Sequence, residues 1–445
     1  MPSSPAMRSS KSAPGPKEVK KQDDAKSSHK TSAAGAAGST SKKHAAAPEY
    51  SPQLAIPAPQ KNLNRVANLL HGKSRPKDGL RPNTACVDFF GTPYPAVGFG
   101  CYKIDEKELQ PLVAPERSGA KNSSTVWGNG YYSLVDSAAV YGNESAFKPV
   151  IAQAASDTAA TKTEKWNRVA PLDRGKSGKD MGSVTIEYKQ LAGPLFLQSK
   201  MWCNKHGYPR TMEAFNDSCK KTGLLSVRSG VGVQRAPMDA YLIHHPGPKT
   251  GWPLKNNPDG TPGMMPPDYA GKKTRQETWR ALEDLYLDGR VKVIGVCNFS
   301  ARQLKELLET CRITPMVHQF ECHPLLPQTE IIALCLENGI TPQAFASLGG
   351  SDKVTKDASQ SLTLRPEVKA AAEMMKKSPA QVLLRWALQR GCMVLPKSRK
   401  TERAKENAEI LDWELPPAAM AKINAMGAGK QERLTWKGVD PDTIK

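Results

Sequence analysis

A chain of 445 residues with 39% hydrophobic content can hold one decorated α/β domain or two average ones, but is too polar to pack throughout. The formal charge of +20 attracts anions in general, yet no window interleaves aromatics with Arg and Lys, so nucleic acid is a minor reading. No apolar run reaches the roughly 18 residues of a membrane-spanning helix, and nine cysteines without a CxxC pair or zinc spacing suit a reduced cytosolic protein with no metal.

Residues 1–75 form a basic tail rich in Ser, Ala, Lys and Pro. Such a segment buries too little to offset its chain entropy, so disorder is expected. It lacks the apolar core of a secretory signal, which favours a cytoplasmic location and leaves organelle import open. From Cys86, TACVDFFGTPYPAVGFG predicts a β-hairpin turning at Gly91-Thr92-Pro93, then a strand over 96–100. Further strands are predicted over 132–136, 194–200, 238–244, 291–297, 316–320, 341–345 and 393–396.

Helical periods lie between them. Residues 274–290 put Trp279, Leu282, Leu285 and Tyr286 on one face and close on Gly289. Ser300 caps a helix that turns Leu304, Leu307 and Leu308 inward. Ser378 and Pro379 start another, which Gly391 ends. Eight β units with helices between them predict an α/β fold, a closed (β/α)8 TIM barrel behind a short hairpin. A doubly wound open sheet is the runner-up, but it wants a GxGxxG turn that GFGCYK does not supply. Three long polar stretches, 105–130, 155–190 and 247–273, interrupt the rhythm and read as insertions.

Three apolar runs stop on ionisable side chains, Asp136, Lys200 and His244, and Tyr141 follows the first in the spacing Asp-x-x-x-x-Tyr. Strand ends at one rim of a parallel barrel are where chemistry sits. Carbonyl reduction needs a proton at oxygen while hydride reaches carbon. A phenol with a pKa of about 10 is a poor donor until a nearby ammonium makes it more acidic. Lys200 is expected to do this for Tyr141, with Asp136 pairing the ammonium and His244 orienting the carbonyl oxygen. Singly, Asp136 reads better as a helix cap, Lys200 as a snorkelling cation and His244 as a core histidine. Their coincidence at neighbouring strand ends favours chemistry.

The motifs LVDSAAVYGNE, LFLQSKMWCN, AYLIHHP, GRVKVIGVCNFS, HQFECHPLLPQ and LPKSRKTERAKEN resemble those of the aldo-keto reductases, in the family's order, over residues 84–440 apart from the insertions. The resemblance implies a barrel without a Rossmann domain that binds NADPH/NADP+ extended across its mouth. Asp136, Tyr141, Lys200 and His244 match the catalytic tetrad. Asn298 and Gln319 match the pair that holds the nicotinamide carboxamide, with Cys297 where Ser is usual. Phe345 matches the ring that stacks on nicotinamide, and Leu348 lies along the pyrophosphate path. Lys397, Ser398, Arg403, Glu406 and Asn407 match the adenosine 2′-phosphate and adenine site. Residue for residue, Lys, Ser and Arg near a helix start also suit a phosphate.

Departures are His318 for an Asn and Ala346-Ser347 for Ser-Pro. Tyr102, Trp202 and His245 take substrate-pocket positions, implying an aromatic wall, and the short tail after Met426 implies an open pocket. The implied activity is NADPH-dependent reduction of small aldehydes and ketones by a monomer. The alternative is an NADPH-binding regulatory or partner-docking protein of the same fold with weak catalysis.

Overall fold

The computed structural model describes residues 86–89, 92–113, 131–156, 162–168, 184–190, 195–224, 238–247, 271–350, 361–429, 431–435 and 440–444, together with Val66, Leu69 and Leu70. Strands β1 (Cys86–Phe89) and β2 (Thr92–Pro95) pair antiparallel. β3 (Gly98–Gly100) and β4 (Leu134–Asp136) open the barrel, and β5 (Lys162–Arg168) and β6 (Val184–Gln190) form a separate antiparallel ribbon. The barrel continues with β7 (Phe196–Met201), β8 (Met238–Ile243), β9 (Val291–Cys297), β10 (Val317–Glu321), β11 (Thr341–Phe345) and β12 (Met393–Val394).

Neighbouring barrel strands are parallel throughout, in the order β12-β11-β10-β9-β8-β7-β4-β3. The ring closes where Val97 bridges Val394, with Val394 N–H donating to Ala96 O at 3.0 Å and Gly100 N–H to Pro396 O at 2.9 Å. The (β/α)8 barrel is therefore the architecture of this chain.

Buried on both faces, β9 reads as a near-continuous apolar run rather than an alternating one, and every residue of it is buried. Gly295 is needed there because a Cβ would come within 2.5 Å of Val317 O on β10. The helix Lys272–Leu287 packs Trp279, Leu282, Leu285 and Tyr286 inward, and Gly289 leaves it at φ +70°. Ser300 and Ser378 start the helices Ala301–Leu308 and Pro379–Gln389 with capping boxes to Gln303 and Gln381. Each cap contributes about 1 kcal/mol.

Several expectations shift. Thr92 and Pro93 belong to β2 rather than to the hairpin turn, and Pro is tolerated on an edge strand. The stretch 105–130 begins with the helix Glu106–Val113, because Asp105 and Glu108 form a reciprocal cap (Glu108 N to Asp105 Oδ1 2.8 Å, Asp105 N to Glu108 Oε2 3.3 Å). Residues 155–190 carry β5 and β6, and the alternation Val184-x-Ile186-x-Tyr188 is the strand signal that a polarity count hides. The helix Lys272–Leu287 starts inside 247–273, and the rest of that stretch beyond Gly247 lies outside the described residues up to Gly271. Most of the tail also lies outside them, but Val66 and Leu70, assigned to it by composition, are buried in the hydrophobic core. Their i, i+4 spacing, with Leu69 between, makes one apolar helical face.

All nine cysteines are free, and all but Cys86 are buried. Among the described residues no helix is long and apolar enough to cross a membrane, and no group of three or more His, Cys, Asp or Glu could hold a metal ion.

Candidate active site

β4 ends on Asp136, β7 carries Lys200 one residue before its end, and His244 follows β8 directly. Tyr141 ends the short 3-10 turn Ala139–Tyr141, which Gly142 leaves at φ +72°. That turn is tied down from below. Ser137 Oγ donates to Asn143 Oδ1 at 2.7 Å, and Asn143 Nδ2 donates to the carbonyls of Cys101 (2.9 Å) and Ile104 (2.8 Å).

Lys200 Nζ stands 2.6 Å from Asp136 Oδ1, donates to Ser137 O at 2.9 Å, and lies 5.2 Å from the centre of the Tyr141 ring. The Tyr141 ring meets His244 edge-on at 5.4 Å and Tyr102 at 5.1 Å, while Trp202 packs edge-on against His244 at 5.2 Å. Burial pushes the Tyr141 phenol well above its ordinary value, and the Asp136 charge adds to the shift. The expected acidification by Lys200 is therefore outweighed. Burial also holds His244 well below the usual histidine range, with the Lys200 charge reinforcing it, so the imidazole is neutral.

Below these groups lies an amide network. Strand register sets Asp136 beside Gln198, and Gln319 beside both Cys297 and Gln343. Asp136 Oδ1 accepts from Gln198 Nε2 and, at 3.2 Å, from Gln319 Nε2. Gln343 Oε1 accepts from Gln319 at 2.7 Å and Gln198 at 2.9 Å, and Tyr94 OH donates to Gln198 Oε1. Gln198, Gln343 and Tyr94 escaped the sequence reading. The one signal for Gln198 and Gln343 was their place two positions from Lys200 and Phe345, hence on the same barrel face, and Tyr94 gave none.

A cavity of about 290 Å³ connects the parts. Tyr102, Asp136, Tyr141, His244, Gln319, Phe345, Leu348 and Lys397 line it, as do Ala346, Ser347, Gly350 and Thr435. Tyr102, 41% exposed, stands at its rim. The other expected residues lie off the cavity lining. Lys200 sits behind Asp136 with no exposed surface. Asn298 Nδ2 is engaged with His244 O at 2.9 Å and Cys297 Sγ at 3.1 Å, and the Cys297 thiol reaches Gln319 Oε1 at 3.6 Å.

His245 is buried, and its Nδ1 meets Gly247 O at 2.6 Å. Ser398 Oγ spans the turn before the helix Thr401–Ala408, donating to Lys400 O at 2.8 Å and accepting from Lys400 N at 2.9 Å. On that helix Arg403 is exposed, Glu406 half-buried and Asn407 buried. The short tail does not leave the cavity open on every side, since Thr435 contributes to its lining.

The model of the aldo/keto reductase family matches residues 98–428. The chain belongs to that family. This aldo/keto reductase is 30% identical over 339 residues to aldo-keto reductase family 1 member A1 of Sus scrofa, covering 76% of this chain and 87% of the relative. Glyoxal reductase of Bacillus subtilis is 34% identical over 290 residues, 64% of this chain and 87% of the relative. The crystal structure of an aldo/keto reductase from Brucella melitensis superposes with a TM-score of 0.52 at 28% identity, covering 76% of this chain and 96% of that one. Family and relatives make carbonyl oxidoreduction the chemistry of this chain.

Proposed function

We propose that this aldo/keto reductase reduces aldehydes, and ketones that fit the same cavity, with NADPH as hydride source and Tyr141 as proton donor. The observation that carries the reading is the 2.6 Å Lys200–Asp136 pair set against the Tyr141 ring, with His244 edge-on beside it. The relative named glyoxal reductase favours an aldehyde as substrate.

A donor must hold its proton until charge builds on the carbonyl oxygen. The raised pKa of Tyr141 keeps it protonated throughout the neutral range. Once the proton leaves, the adjacent ammonium of Lys200 stabilises the phenolate, and Asp136 holds that ammonium in place. Neutral His244 offers a ring N–H to orient the carbonyl oxygen. Tyr102, Phe345 and Leu348 give the cavity apolar sides that keep water from the reacting atoms.

When bound, a nicotinamide dinucleotide supplies the hydride. The residues fit such a group. Ser347 Oγ is buried on the cavity lining with no hydrogen-bond partner, and the lining runs on to Lys397. Phe345 would lie along the nicotinamide, Asn298 and Gln319 would meet its carboxamide, and Ser347 and Leu348 would follow the pyrophosphate. Lys397, Ser398, Arg403, Glu406 and Asn407 would take the 2′-phosphate and adenine. Gln319 is already bonded to Asp136 and Gln343, so meeting a carboxamide costs it part of that network.

Fluorescence titration with NADPH, followed by turnover on an aldehyde panel, tests the reading. Tyr141→Phe should bind NADPH within about threefold of the parent and lose about 10³-fold in kcat, the scale of a lost general acid. A variant that keeps near-full turnover of a reactive aldehyde removes Tyr141 from the mechanism.

A further inference from the structure

We propose that Glu321 is a positioning residue that fixes the C-terminal segment as one wall of the reaction cavity and so sets which carbonyl compounds fit. The proposal rests on the reading of that cavity as the site of carbonyl reduction. Glu321 ends β10 on the same strand face as Gln319 and has no exposed surface. A buried carboxylate is costly unless donors converge on it.

Here most of the donors come from more than a hundred residues downstream. Leu434 N and Thr435 N donate to Oε1 at 2.7 and 2.8 Å, Thr435 Oγ1 donates to Oε2 at 2.6 Å, and Arg433 Nη1 stands 3.4 Å from Oε2. His323 Nε2 completes the set at 3.1 Å from Oε1. Burial alone would raise the carboxyl pKa, but the bonds from His323 and Thr435 outweigh it and hold the group below the usual range.

The tethered residues reach the site. Thr435 lines the cavity, and its Cγ2 lies only 2.8 Å from where a Cβ on Gly350 would stand. Leu434 is buried against the same loop, 3.6 Å from the corresponding position at Gly349. The tail and the loop after β11 therefore interlock with no spare room. A carboxylate on the barrel rim decides whether they stay so.

Two readouts on the full chain test this with Glu321→Gln, which keeps the side-chain shape and sets an NH2 against donors. The first is limited trypsin digestion read by mass spectrometry at the Arg433–Leu434 bond, expected to be cut at least tenfold faster in the variant. The second is steady-state kinetics with propionaldehyde and with a bulky aromatic aldehyde. KM for propionaldehyde should rise about tenfold with kcat within twofold, while KM for the aromatic compound stays level or falls.

Unchanged cleavage, or an unchanged ratio of the two KM values, overturns the proposal, as does a parallel loss of kcat for both aldehydes. Should Glu321→Gln fail to fold, Thr435→Val removes one bond at constant shape. About threefold changes in both readouts are then expected, and none in either overturns the proposal. Cleavage is read without substrate, so the tether stands or falls separately from the carbonyl reading.

Discussion

The floor of the barrel mouth and its basic edge are built on opposite plans. On the floor, Asp136, Lys200, Gln198, Gln319 and Gln343 are all buried, and each is held by protein partners. At the edge, Arg399 is tied to Glu108 at 3.0 Å, but Lys400 and Arg403 stand exposed at the start of the helix Thr401–Ala408. One half is assembled by folding. The other is a set of exposed charges that, on the proposed reading, a bound anion would bring to order, and the ordering cost would then fall on binding rather than on folding. Damage to the floor should therefore appear in stability and turnover together, and damage to the edge in affinity alone.

Lys200→Met tests the floor hardest. It leaves Asp136 buried without its countercharge, so stability should fall by about 3–5 kcal/mol in urea unfolding. Turnover should fall by about 10³-fold or more, because the ammonium that stabilises a phenolate is gone. Adding Asp136→Asn should restore much of the stability and none of the activity, since removing both charges of a buried pair is often close to neutral. A single variant as stable as the parent would mean that the floor is not held by its ion pair.

The same contrast explains what the sequence made legible. Asp136, Lys200 and His244 were visible because each interrupts an apolar run, and Ser300 and Ser378 because caps are local chemistry. The amide network was not visible. Gln319 meets Gln343 only through the register of β10 on β11, and Tyr94 reaches Gln198 across 104 residues of chain. Glu321 is a similar case, since its partner Thr435 lies 114 residues away. Adjacency of His245 to His244 likewise does not show what either ring meets, and the His245 bond to Gly247 O appears only in the folded chain. The acidity of Tyr141 was misjudged because a motif displays the ammonium but not the burial that outweighs it.

Acid should separate the two regions next. Burial lowers His206 and His245 to about 4 and His318 to about 3, and holds His244 well below its ordinary 6.5. Below about pH 6.5 the unfolded chain takes up protons that these folded sites refuse, so stability falls as pH drops from there toward 4. The slope is roughly 1.4 kcal/mol per pH unit for each histidine once its unfolded form is protonated. Glu283, pushed up by burial, offsets part of the loss at the acid end. Urea midpoints at pH 7.5, 6 and 5 should decrease in that order. A midpoint level to pH 5 would mean that these imidazoles become protonated in the folded protein.

The edge should respond to its own changes only. Lys397 is half-buried at the end of the cavity and Arg403 is exposed on the helix beyond it, so losing their side chains should cost the fold little. Replacing both by alanine should raise the dissociation constant for NADPH by about 10- to 100-fold, the worth of one or two charge-assisted hydrogen bonds after screening. NADH, which carries no 2′-phosphate, should change by about threefold or less, and the urea midpoint should stay where it was. Equal losses for both cofactors would move these cations away from the 2′-phosphate. A fall in the midpoint would show that the edge, like the floor, is fastened by the fold.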